Sequence, residues 1–102
     1  MPDSPVSLCV LLWANPGQEP ALTAYEDTVL ELLAEHGGRV LQRGSVVADS
    51  DGDDVRPAEV QFLEFSSEAA LAGYMTDSRR LALAADRDAA IARTDVLRIR
   101  AY

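Results

Sequence analysis

Apolar residues along this chain fall into two kinds of spacing, and the alternation between them sets out a definite order of strands and helices. Val6-Ser7-Leu8-Cys9-Val10-Leu11-Leu12-Trp13-Ala14 is a nearly unbroken apolar run between Pro5 and Asn15-Pro16-Gly17. Its length and flanks predict a strand, and apolar residues at both alternating sets of positions predict one covered on both faces. Pro20 suits the first turn of a helix, and Leu22, Tyr25, Val29, Leu32, Leu33 and His36 then recur at helical spacing. Gly37-Gly38 should end that helix in a left-handed turn. A second strand is expected over residues 39–47, with Gly44 as a bulge or point of close approach. The polar segment Asp49 to Pro57 reads as a hairpin loop, and Glu59-Val60-Gln61-Phe62-Leu63-Glu64-Phe65 as the returning strand. Ser66 or Ser67 should cap a helix over 68–75. Asp77-Ser78 should break it before a further helix over 79–92, and residues 94–101 should close the chain as a strand.

That order is β-α-β-β-α-β, the ferredoxin-like arrangement of an α+β domain with a four-stranded antiparallel sheet. Right-handed crossovers place the first and third strands in the middle and the second and fourth at the edges. Helices so connected cover one sheet face only. The doubly apolar first strand therefore predicts that a second copy covers the other face, making a homodimer through the open face of the sheet.

With 102 residues, 48% hydrophobic and 25% charged, the chain is expected to be a single domain over residues 1–102. A net charge of −8 argues against nucleic acid and anionic membrane as partners. Every one of the nine basic residues is arginine, scattered rather than clustered. The longest apolar run falls well short of the roughly 20 residues a membrane span needs. The first residues lack the basic region of a secretory signal, and a lone Cys9 points to a reducing compartment, so a cytoplasmic location is expected.

His36-Gly37-Gly38-Arg39-Val40-Leu41-Gln42-Arg43-Gly44 resembles the GGR-x-L-x-RG signature of the DUF1330 family, within the dimeric α/β-barrel superfamily. Glu64-Phe65-Ser66-Ser67-Glu68-Ala69-Ala70 is similar to its strand-to-helix junction, and Tyr25, Tyr74, Ser78 and Arg87 match further family positions. Leu81 departs from the pattern, standing where the family often has a second tyrosine. The resemblance implies a dimeric α/β barrel with a pocket between sheet and helices. Related barrels include cofactor-free monooxygenases, lactone isomerases and haem degraders, so it implies no single reaction.

His36, the only histidine, is the candidate catalytic acid or base, facing Arg43; the alternative is that it packs its ring in the last helical turn. Arg43 and Arg87 could clamp a substrate carboxylate, or pair with Glu64, Asp86 or another carboxylate to order the packing. Trp13, Tyr25 and Tyr74 could line an apolar pocket or simply fill the core, with Glu64 beside the substrate group. Cys9 reads as an inert thiol within an apolar strand. Asp49, Asp51 and Asp53 alternate as calcium ligands might in an EF-hand, but Asp54 and Val60 stand where that loop needs glycine and glutamate. No metal or cofactor is expected. Three readings result: a homodimer that binds a small organic ligand, an acid among the candidates; a cofactor-independent monooxygenase or isomerase; and a structural or regulatory dimer without a ligand.

Overall fold

A computed structural model describes residues 4–47 and 56–100. The elements run β1 (Val6–Ala14), α1 (Glu19–Leu30), a 3-10 turn (Leu33–His36), β2 (Gly38–Ser45), β3 (Glu59–Phe65), α2 (Glu68–Met75), α3 (Ser78–Leu81), α4 (Ala84–Ala90) and β4 (Ile91–Ile99). The strands form one antiparallel sheet in the order β2-β3-β1-β4, with β1 and β3 central. Asp49, Asp51 and Asp53 lie outside the described residues.

Register settles which side chains share a face. Val6, Leu8, Val10 and Leu12 of β1 stand opposite Phe65, Leu63, Gln61 and Glu59 of β3, and these eight are buried beneath the helices. Leu22, Tyr25 and Val29 of α1, with Leu33 and Tyr74, complete the core against them. On the other face Cys9 sits between Phe62 and Leu97, and Leu11 between Val60 and Asp95. No described residue covers that layer, and the molecule measures only 16 Å along its shortest axis, one sheet and one layer of helices.

The structure departs from the sequence expectations at several points. The first helix stops at Leu30 and tightens into the 3-10 turn, which swings Leu33 into the core and leaves His36 beyond the helix proper. Gly37 takes φ +71°, the expected left-handed stop, and an added Cβ on Gly38 would lie 2.7 Å from the Phe65 ring. The surplus residue in β2 is Leu41, which falls between the pairs Val40–Leu63 and Gln42–Phe62; Gly44 pairs regularly with Val60 and meets no close neighbour. The expected helix over 79–92 is two short pieces, and β4 begins at Ile91. Asn15 explains that early start: its Nδ2 donates to the carbonyls of Asp88 and Ala89, and its backbone N–H to Ala90 O, closing off α4.

Candidate functional site

Between the helix-covered face of the sheet and α1, α2 and α3 lies a cavity of about 280 Å³. Its floor is Leu8, Val10, Leu12 and Leu63, its roof Leu30, Leu71 and Tyr74, and half-exposed Met75 and Val96 stand at its rim. Five polar side chains reach it: Glu26 from α1, Gln61 from β3, Arg80 from α3, Arg87 from α4 and Thr94 from β4. A predominantly apolar wall with a few converging polar groups is the usual make-up of a small-molecule site. A larger concavity at the end of the sheet, lined by Trp13, Glu19, Thr23, Ser45 and Glu59, is more open and more polar.

Glu26 belongs to the buried stripe of α1, four residues after Leu22 and three before Val29, and is only 6% exposed. Its Oε1 accepts from Gln61 Nε2 at 2.7 Å, and the same amide nitrogen donates to Glu59 Oε2 at 2.7 Å. Arg43 then clamps Glu59 from β2, with Nε donating to Oε2 at 2.6 Å and Nη2 to Oε1 at 3.2 Å, while Nη1 reaches Asp27. Carboxylates thus outnumber the single guanidinium in this chain of contacts. Burial pushes the Glu26 carboxyl above the usual glutamate range; the Gln61 hydrogen bond opposes the shift and the Glu59 charge adds to it.

Arg80 stands on the other side of the balance. Its guanidinium lies 5.2 Å over the Tyr74 ring, and Nη1 donates weakly to Met75 O at 3.4 Å. It forms no ion pair with a described residue, and its Nε is buried without a protein partner. Thr94 Oγ1, also on the cavity wall, is the other buried side-chain polar atom without one among the described residues. An unsatisfied buried group of this kind costs about 1–3 kcal/mol. Burial raises the hydroxyl pKa of Tyr74 and of Tyr25; at Tyr74 a hydrogen bond with the Arg80 side chain, and then its charge, oppose the shift, and at Tyr25 the Arg80 charge does.

Of the residues singled out from sequence, Tyr74 and Arg87 line this cavity. Tyr25 packs in the adjoining core, facing a more open depression with Leu83 and Asp86. His36 does not face Arg43: its Nε2 meets Asp77 Oδ2 at 2.8 Å and its ring stands edge-on to Tyr74 at 6.4 Å. Asp77 is also gripped by Arg79, whose Nη1 reaches Glu35, so the 3-10 turn and the start of α3 are latched together. Arg43 and Arg87 do not form a clamp, because Arg43 is committed to Glu59 and Asp27. Trp13 lies on the open sheet face with Arg93 stacked over it at 4.5 Å, and Glu64 pairs there with Arg39 at 2.8 Å. Sequence reading missed Glu26, Gln61, Arg80 and Thr94. The first two carried a usable signal: a glutamate on the apolar stripe of a helix, and a glutamine on the inward alternation of a strand. Among the described residues, no group of three or more histidines, cysteines or carboxylates is placed to hold a metal ion.

A ferredoxin-like α+β sheet with one open face and a small cavity under its helices is thus the class of protein in hand. The chain belongs to the family described as domain of unknown function DUF1330, whose model matches residues 13–102. No curated protein matches it. A protein of unknown function from Rhodopseudomonas palustris is similar in structure, with a TM-score of 0.80 at 19% identity, over 98% of this chain and 84% of that one. A dimeric protein of unknown function with a ferredoxin-like fold from Bacteroides fragilis gives 0.70 at 12% identity, over 97% and 98%. A putative antibiotic biosynthesis monooxygenase from Bacteroides thetaiotaomicron gives 0.67 at 15% identity, over 96% and 90%. These likenesses establish the fold.

Proposed function

We propose that the chain works as a homodimer that binds a small, largely apolar organic molecule in the cavity between sheet and helices, in the cytoplasm, where Cys9 stays reduced. The observation that carries the reading is the cavity itself. At about 280 Å³ it sits at the small end of ligand pockets, roughly 300–1,000 Å³, and its polar groups are few and convergent. A packed structural core would instead be filled and would leave no polar atom without a partner. Support for the dimer comes from the uncovered Phe62-Cys9-Leu97 row and from similar folds that are themselves described as dimeric.

Ligand-observed NMR with a library of small aromatic and alicyclic compounds tests the binding. Compounds that bind should compete with one another and be lost in Leu71→Trp, which fills the cavity from α2. Binding that survives Leu71→Trp, in a variant folded by circular dichroism, places the ligand elsewhere and overturns the reading.

An enzymatic role, as a cofactor-independent isomerase or monooxygenase, is the second reading, and one feature favours its proton-transfer form. Glu26 is a carboxyl on the cavity wall whose pKa burial has raised, as a general acid or base requires. In this reading Glu26 takes the role expected of His36, which serves instead as a latch. Glu26→Gln should then abolish any turnover that His36→Ala leaves largely intact.

A further inference from the structure

We infer that the molecule held in the cavity is a small monocarboxylic acid, its carboxylate accepting from Arg80 Nε and Thr94 Oγ1 while its apolar body lies on Leu8, Val10 and Leu63. This rests on the binding reading above and adds the chemistry of the polar end. Arg80 Nε and Thr94 Oγ1 are the buried side-chain polar atoms left without a protein partner among the described residues, they come from different elements, and they line the same cavity. Arg80 Nε–H is a donor and the Thr94 hydroxyl can donate, so an acceptor group suits both. Charge points the same way. Among the described residues Arg80 has no ion-pair partner, and Arg87, also on the wall, pairs with the exposed Asp88 at 3.6 Å. Against these two guanidiniums the wall sets one carboxyl, Glu26, so the lining favours an anion. Guanidinium is suited to a planar carboxylate, and the Tyr74 ring holds it in place from one face.

Calorimetric titration of the intact protein with phenylacetate, phenylacetamide and ethylbenzene separates the outcomes. Phenylacetate should bind at least tenfold more tightly than the two neutral compounds. Arg80→Met should erase that preference while leaving ethylbenzene binding as it was, and Thr94→Val should reduce it several-fold. Arg98→Met, which removes an exposed arginine paired with Glu68 at the sheet's end, should leave the preference unchanged. In wild-type protein, and so independently of any folding defect in a variant, the Arg80 Nε–H NMR resonance should move on adding phenylacetate and stay put with phenylacetamide. Equal binding of acid and neutral compounds, or an Arg80 resonance indifferent to the acid, overturns the carboxylate assignment and leaves the cavity reading standing. Failure of all three compounds to bind removes both.

Discussion

A carboxyl at a core position of a helix is costly to ionise, and burial accordingly raises the pKa of Glu26. Its neighbours are Gln61, a second carboxylate in Glu59, and the charges of Arg43, which Glu59 holds, and of Arg80. Because its folded-state pKa lies above the ordinary 4.5, the stability that goes with its protonated form is present below that value and lost as pH rises through the raised one. Glu26→Gln, whose amide oxygen can still accept from Gln61, should therefore unfold at a higher urea concentration than wild type at pH 7. The two midpoints should converge near about pH 4, and coincidence at pH 7 would show the carboxyl to be unperturbed. Asp77 has the opposite sign. Hydrogen bonds from Arg79 first, then His36, hold its carboxyl well below the usual 3.8, so its contribution is present above that value and lost as pH falls toward the depressed one. Asp77→Asn should be less stable at neutral pH and show a flatter acid limb in a plot of melting temperature against pH.

The Asp77 latch also constrains the element beside it. Gly73 lies in the middle of α2, where alanine would ordinarily gain about 1 kcal/mol, yet its added Cβ would sit 3.0 Å from His36 Nδ1. With the His36 ring tied at Nε2, the full gain should appear only once that ring is removed. Gly73→Ala should thus stabilise a His36→Ala background by about 0.5–1 kcal/mol and wild type by measurably less, read from a double-mutant cycle in urea. At the head of the same helix Ser67 Oγ accepts from Ala70 N at 3.0 Å, and Ser67→Ala should cost about 1 kcal/mol. These elements were largely legible in the chain. The doubly apolar first strand, the Gly37-Gly38 stop and the serine cap each carry a local physical signature. What could not be read was set by distant partners. Nothing near Asp88 in sequence says that Asn15 will terminate its helix, and nothing near Leu41 says that the surplus residue falls there rather than at Gly44. Arg80 looked like one more scattered surface arginine, because its buried Nε, unpartnered among the described residues, becomes visible only after α3 folds over Tyr74.

At the scale of the whole molecule, the apolar row on the uncovered sheet face governs behaviour in solution. Phe62→Asp, placed beside Cys9 in that row, should convert a particle of twice the chain mass into a single chain by light scattering while leaving the helix-side core intact. A wild-type protein already monomeric at working concentration would overturn the dimer. The outer strands raise a separate matter. β2 carries Leu41 as an extra residue, and β4 carries Ala92 as another between the partners of Trp13 and Ala14. An interrupted margin offers a stray chain no straight row of amides to zip onto. The two irregularities should therefore disfavour fibrous growth along the strand margins, a route distinct from the pairing proposed for the broad flat side.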